Sequence, residues 1–213
     1  MGELSAEGAL QGRAKSRKIR KTRTATHPFA LFFREFLRHP AMIGSIIPSS
    51  RRTIDHMLAR VDWAAAKVFV EYGPGVGTFC STILDRLAPD ATLIVIDTNP
   101  AFIDFLRRKF KDSRFVAVLG SAADVNEILQ SHGHDKADYI LSGLPFSTLP
   151  PGVGPAIALA TQRALRVGGA FLVYQYSPYV LRLTEPLFPR IDRAYEPWNI
   201  PPCRLYWAWK DSE

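Results

Sequence analysis

The segment Glu71-Tyr72-Gly73-Pro74-Gly75-Val76-Gly77, with Asp97 twenty residues beyond its last glycine, constrains this chain more than anything else in it. It follows the apolar run Val68-Phe69-Val70 and opens onto a helix-like stretch. Strand, glycine loop, helix, strand and acid is the order in which an α/β sheet grips a nucleotide-like ligand. The glycines let the backbone turn sharply and approach the ligand, and the acid accepts hydrogen bonds from ribose hydroxyls. A Gly-x-Gly-x-x-Gly pattern, as hydride-transfer enzymes use, would place its third glycine at position 78, which is Thr78. The spacing here is Glu-x-Gly-x-Gly-x-Gly.

The remaining pattern extends the same architecture. Residues 67–72, 92–97, 114–119, 137–142 and 169–176 are rich in Val, Ile, Leu, Phe or Tyr and read as strands. Helical patterns fill the gaps near 78–87, 100–111, 122–131 and 155–166. Near-continuous apolar strands separated by helices predict a parallel sheet covered on both faces. The last third departs from this alternation. Segments 190–198 and 203–209 are strand-like and joined by Asn199-Ile200-Pro201-Pro202, a connection short enough to force antiparallel pairing. Trp198, Trp207 and Trp209 read as core or sheet cover.

The charge is concentrated at one end. Arg13, Lys15, Arg17, Lys18, Arg20, Lys21 and Arg23 fall within eleven positions, and their seven charges equal the whole net charge of +7. The rest is close to neutral, so residues 1–27 read as a flexible basic arm that attracts nucleic acid or anionic lipid. Residues 28–60 form the next unit. Pro28 starts a helix in which Phe29, Phe32, Phe33, Phe36 and Leu37 share one stripe, and Pro40 ends it. A Phe-rich helix beside a basic run has the make-up of a helix lying in a membrane interface; packing on the domain core is the alternative. The segment 41–50 reads as a lid or a plain connector, and Ser49 or Ser50 as the cap of a helix reaching about Arg60. Residues 61–213 form the ligand-binding domain. Cys80 and Cys203 lack zinc spacing, so neither a metal site nor a disulfide frame is expected. With no membrane-spanning run and no signal-like apolar core, the expectation is a cytoplasmic monomer that visits the inner face of a membrane.

The chemistry is expected where four loops meet at the carboxyl ends of the parallel strands. They are the glycine loop, Asp97-Thr98-Asn99, Gly120-Ser121-Ala122-Ala123-Asp124, and the stretch from Asp138 to Phe146 that contains Ser142-Gly143-Leu144-Pro145. The glycine loop resembles the first motif of S-adenosylmethionine-dependent methyltransferases. That resemblance implies a Rossmann-like, seven-stranded sheet, with five parallel strands and a terminal antiparallel hairpin. It also implies S-adenosylmethionine as cofactor. Gly73, Gly75 and Gly77 would then approach its methionine end, with Glu71 orienting the amine. Asp97 and Thr98 would take the ribose. Ser121, Ala122 and Ala123 would meet the adenine, unless Ser121 only caps the next helix. Ser142 and Leu144 would complete the cofactor side.

The fourth loop bears on the acceptor. Ribosomal RNA adenine dimethyltransferases carry Asn-Leu-Pro-Tyr there, and the asparagine accepts hydrogen bonds from the exocyclic amine of a flipped base. Gly143 replaces that asparagine, which counts against adenine methylation. Ser142-Gly143-Leu144-Pro145 resembles the loop of the soluble bacterial phospholipid N-methyltransferases, which convert phosphatidylethanolamine stepwise towards phosphatidylcholine. The Phe-rich helix and the Ile43-Gly44-Ser45…Pro48-Ser49-Ser50 segment share the resemblance, which covers roughly residues 28–209. It implies phosphatidylethanolamine and anionic membrane lipids as partners, with Gly143, Pro145 and Phe146 at the acceptor. Tyr174 and Tyr176 share a face at the end of the fifth strand and Tyr179 follows; they are candidates to line a headgroup pocket and hold a methylated ammonium on their aromatic faces. Arg204 is a candidate partner for a lipid phosphate. No histidine falls on a site loop, so no general base is named. Two other functions remain open: a nucleic-acid amine methyltransferase, favoured by the basic arm, and a non-catalytic membrane-binding protein.

Overall fold

The computed structural model describes residues 50–199 and 202–212. The basic arm, the phenylalanine stripe and the Gly44-Ser45 segment lie outside the described residues. The chain enters through α1 (Arg51–Leu58). Alternating elements follow: β1 (Val68–Tyr72), α2 (Cys80–Arg86), β2 (Thr92–Asp97), α3 (Pro100–Lys109) and β3 (Phe115–Leu119). Next come α4 (Val125–Ser131), β4 (Ala137–Ser142), α5 (Val153–Ala164) and β5 (Leu165–Gln175). A short helix α6 (Leu181–Thr184) precedes the hairpin β6 (Arg190–Glu196) and β7 (Cys203–Trp209).

The strands form one sheet in the order β3-β2-β1-β4-β5-β7-β6. β1 to β5 are parallel, and β7 runs antiparallel between β5 and β6. This is the seven-stranded sheet, five parallel strands and a terminal antiparallel hairpin, that the resemblance implied. The chain order reverses between β1 and β4, so a crevice opens above their carboxyl ends.

Local chemistry sets the helix starts. The Ser50 side chain accepts the Thr53 amide at 3.1 Å and caps α1. The Asn99 side chain caps α3, Pro100 occupies its first turn, and Arg107, Arg108 and Lys109 place positive charge at its carboxyl end. Two cores sandwich the sheet. One packs Ile54, Met57 and Leu58 of α1 with residues of α2 and α3 against Phe69, Leu93, Leu172 and Trp207. The other packs α4, α5 and the α6 region against Val70, Ile94, Ile140 and Phe171. Each fully buried large apolar side chain stabilises the fold by about 1.5–3 kcal/mol. Trp207 also donates its indole N–H to the Met57 carbonyl at 2.9 Å, which docks α1 onto the hairpin.

Four details differ from the sequence reading. β5 begins at Leu165, not 169, and α5 ends correspondingly early, because Gly168 and Gly169 exchange backbone bonds with Lys210 beyond β7. The turn Pro178–Val180 and α6 were not anticipated. Asp138, read as part of the fourth loop, lies at the opposite end of β4. There its carboxylate accepts the Lys67 and Val68 amides at 2.8 Å and pairs with Arg166. Trp198, read as cover, is 70% exposed because it sits in the turn of the hairpin and not on a sheet face.

Candidate functional site

The crevice over β1 and β4 holds a cavity of about 320 Å³, inside the roughly 300–1,000 Å³ range of small-molecule and cofactor sites. Three of the four expected loops build one side of it: Gly73 and Gly75; Asp97 and Thr98; Gly120, Ser121 and Ala122. Leu144 and Pro145 of the fourth loop reach the same cavity. The three motif glycines all have positive φ, but for different reasons. A Cβ at Gly75 would meet nothing within 4 Å, so Gly75 keeps bare backbone against open space. A Cβ at Gly77 would strike Leu106 at 2.7 Å and Phe110 at 2.8 Å, so that glycine serves helix packing and does not line the cavity.

Asp97 ends β2 at the cavity wall. Burial pushes its carboxyl above the usual range, while backbone amides of Asn99, Gly75 and Thr98 pull it back. The Asn99 amide lies 2.8 Å from Oδ1. Ser121 both caps the next turn, accepting the Ala123 amide at 3.1 Å, and lines the cavity; Ala123 does not line it. Ser142 is fully buried and accepts the Leu144 amide at 3.2 Å, shaping the loop from beneath.

Glu71 also lies beneath the loop. It is 2% exposed and accepts the Cys80 thiol at 3.2 Å. Burial raises its carboxyl to about 7; the Cys80 hydrogen bond opposes the rise, Asp97 adds to it, and Lys109 opposes it. The apolar part of the cavity lining was not read from the sequence. It includes Phe102, Leu149, Val153 and Ile157. Phe102 carried a usable signal, since it follows the Asn99-Pro100 cap in the first turn after the ribose acid.

A second cavity of about 100 Å³ adjoins the first and shares Leu144, Pro145 and Thr148 with it. Gly143, Ser147, Tyr174, Gln175, Tyr176 and Ser177 complete its lining. β1 and β4 end in register at Tyr72 and Ser142, level with Val173 of β5, so Gly73, Gly143 and Tyr174 follow one another across the sheet. The Tyr174 phenol lies across Gly143. A Cβ there would stand 2.3 Å from the hydroxyl oxygen and 2.7 Å from Cζ. Phe79 packs against the same ring, with centroids 4.9 Å apart. Burial, and the nearby Glu71 charge, push the Tyr174 phenol well above its ordinary value. Burial raises the Tyr176 phenol too. Both are therefore neutral donor–acceptors at physiological pH. Gln175 donates to the Leu144 carbonyl and ties the fourth loop to β5.

Beyond Glu71, Gly77, Ala123 and Ser142, three acceptor-side candidates also line neither cavity. Phe146 is buried against Phe171, edge to face at 6.3 Å. Tyr179 lies outside, with the Arg182 guanidinium 6.0 Å from its ring centre. Arg204 pairs with Gln175 at the expected edge, but it stands on the sheet face opposite Tyr174, over the Tyr195 ring at 5.9 Å. Strand alternation explains this: Tyr174 pairs with Leu205, so the neighbouring Arg204 points the other way. Among the described residues, no group of three His, Cys, Asp or Glu side chains is placed to hold a metal ion. No described helix is long and apolar enough to cross a membrane.

No family model matches the chain. Solved structures share its fold at low identity. An O-methyltransferase from Bacillus cereus in complex with S-adenosylhomocysteine aligns with a TM-score of 0.60 and 14% identity, over 84% of this chain and 91% of that one. The N-methyltransferase NodS from Bradyrhizobium japonicum, also bound to S-adenosylhomocysteine, aligns at 0.58 and 16%, over 85% and 88%. A curated relative is much nearer in sequence. It is an ornithine lipid N-methyltransferase from Singulisphaera acidiphila, 32% identical over 182 residues, which are 84% of this chain and 95% of the relative. The glycine cradle, the carboxylate of Asp97 and the apolar lining fit S-adenosylmethionine, the cofactor of this fold family. The chain belongs to the lipid N-methyltransferase family that contains this relative, within the class I S-adenosylmethionine-dependent methyltransferases.

Proposed function

We propose that this chain methylates the terminal primary amine of a membrane lipid at the bilayer surface. The observation that carries the reading is the small neutral cavity beside the cofactor cavity, with the Tyr174 hydroxyl filling the space above Gly143. Bound S-adenosylmethionine supplies an electrophilic methyl on a sulfonium. The acceptor ammonium would first release a proton to solvent, and the neutral amine would then take that methyl to give a methylated ammonium and S-adenosylhomocysteine. The chain's own part is to position the amine and keep water out. An alkylammonium ordinarily titrates near about 10.4; a dry, uncharged wall favours the neutral amine that must attack. The Tyr174 oxygen accepts an N–H from the acceptor and so aims the lone pair. The Tyr174 and Tyr176 rings then hold the methylated cation.

The same geometry speaks against a flipped adenine. The side chain that would accept its amine is missing at 143. Phe146, at the position of the stacking aromatic, is buried in the core.

Two head groups present a terminal primary amine on a short chain. An ornithine lipid is supported by a relative matched over nearly its whole length. Phosphatidylethanolamine, and its conversion towards phosphatidylcholine, is supported by the four-residue loop Ser142-Gly143-Leu144-Pro145. Similarity over 182 residues outweighs four, so the ornithine lipid is the first reading and phosphatidylethanolamine the second. The basic arm and the phenylalanine stripe are proposed to anchor the protein peripherally at the inner membrane face. The test is to incubate the full chain with methyl-labelled S-adenosylmethionine and vesicles containing either lipid. Label in one lipid and not the other decides between the readings. Cofactor binding without label in either lipid refutes the proposal and supports a non-catalytic membrane-binding role; label in ribosomal RNA instead would revive the nucleic-acid reading.

A further inference from the structure

The folded domain carries, beside its acceptor cavity, a surface that the reaction at the cofactor does not use. Trp198 is 70% exposed, Tyr195 56% and Tyr179 37%, all large rings that nothing among the described residues requires to face water. They gather at the carboxyl edge of the sheet. Tyr195 pairs with Arg204 across the hairpin, Arg204 pairs with the cavity residue Gln175, and Tyr179 follows two residues after Ser177 of the same cavity. Trp198 sits in the β6–β7 turn. Two arginines are interleaved with the rings: Arg204 over Tyr195 at 5.9 Å and Arg182 over Tyr179 at 6.0 Å. The carboxylate at the end of β6, Glu196, is 2% exposed and already engaged by Arg52 at 3.5 Å and His56 at 3.3 Å, so it does not cancel the outward positive charge.

Exposed Trp and Tyr mixed with Arg is the composition of a membrane–water boundary. There the amphipathic rings settle at headgroup depth, and guanidinium groups meet lipid phosphates. We infer that this edge is a bilayer footprint of the folded domain, fitted to anionic lipid, which lays the mouth of the acceptor cavity against the headgroup layer. It acts in addition to the N-terminal anchor, and its purpose, though not its binding, rests on the lipid-amine reading. The footprint solves a geometric problem that an anchor alone leaves open. A tether raises the local concentration of protein at the membrane, but it does not orient the cavity. A footprint contiguous with Gln175, Tyr176 and Ser177 does.

The test uses the full chain and its Y195S/W198S and R182Q/R204Q variants, all at exposed positions. Binding is measured by co-sedimentation with vesicles of phosphatidylglycerol and phosphatidylcholine, and with phosphatidylcholine alone. Each arginine near an anionic surface is expected to give about a fivefold effect, so R182Q/R204Q should bind the anionic vesicles about 25-fold more weakly. On neutral vesicles it should match the parent. Y195S/W198S should lose at least about tenfold on both. It should retain S-adenosylmethionine affinity and methylation of short-chain, micellar lipid, which separates loss of docking from loss of fold. Vesicle binding of both variants within twofold of the parent overturns the footprint. Parent protein that binds vesicles through these residues but labels no lipid leaves the footprint standing and refutes the lipid-amine function.

Discussion

A methyl group added at position 143 tests the proposed site at its narrowest point. In Gly143→Ala the new Cβ would lie 2.3 Å from the Tyr174 hydroxyl oxygen. The phenol must therefore retreat by about 1 Å to reach ordinary contact, and a misplacement of that size at a reacting centre costs about 10²-fold in rate. The ring cannot simply swing away, because Phe79 packs against it at 4.9 Å. Overpacking of this kind costs about 1–3 kcal/mol, seen as a fall in melting temperature of about 2–4 °C per kcal/mol for a chain of this size. The assay is steady-state lipid methylation, with cofactor affinity measured separately by titration calorimetry. We expect kcat/KM for the lipid to fall about 100-fold while cofactor affinity changes less than threefold. Tyr174→Phe supplies the control. If the damage in Gly143→Ala comes from displacing the hydroxyl, the phenylalanine variant is already impaired, and adding Gly143→Ala to it costs little more. Full activity in Gly143→Ala, or strictly additive losses in the double variant, would refute the reasoning.

Two further predictions separate packing from binding around the glycine loop. Gly77→Ala should destabilise the protein by about 2–4 kcal/mol, since it joins a left-handed φ of +73° to contacts below 3 Å with Leu106 and Phe110. Gly75→Ala, with φ +55° and open space, should cost about 1–2 kcal/mol of stability but weaken cofactor binding at least tenfold; urea unfolding and calorimetry distinguish the two. The Glu71 carboxyl, raised by burial from 4.5 to about 7, holds its proton more tightly folded than unfolded, so stability contributed by the neutral acid is full below about 4.5 and is lost as pH rises towards 7. Glu71→Gln should therefore remove a decline of about 2.5 kcal/mol in cofactor-free stability between pH 5 and pH 8; an unchanged pH dependence in urea titrations would show that Glu71 is not its source.

The fold was largely legible because its signals are local. Five apolar runs, their helical spacers and the short connection at Asn199-Ile200-Pro201-Pro202 dictate parallel strands and a hairpin whatever the side-chain details. The place of Asp97 at the end of β2 was legible for the same reason, since it follows from the length of one strand–helix–strand unit. What sequence spacing does not carry is which way a strand residue faces once register is set. Arg204 and Tyr174 reach the same edge, but pairing of Tyr174 with Leu205 sends the arginine to the other face. Phe146 fell outside the site because the loop after Leu144 turns inward under Phe171. Phe102, Val153 and Ile157 were missed because apolar residues in a helix read as ordinary core, and Leu149 because it sits in an irregular loop with no pattern to mark it.

Gly143 and Tyr174 are best understood as one device. A polar side chain at 143 would be rooted in the loop whose next residue, Leu144, packs within 2.9 Å of where a Gly73 side chain would begin. Any adjustment of that loop for the acceptor would disturb the cofactor cradle. Supplying the polar atom from β5 separates the two tasks. The hydroxyl arrives on a rigid strand, held by Phe79, and crosses over a residue reduced to bare backbone so that it fits. The proposed acceptor pocket thereby gains an aromatic face as well as a hydrogen-bonding atom, and both suit an amine that becomes a methylated cation. A planar base needs an in-plane acceptor and a free stacking ring. An aliphatic amine needs one directed oxygen and an uncharged, partly aromatic wall. On the proposed reading, the loop after β4 and the end of β5 provide the second set.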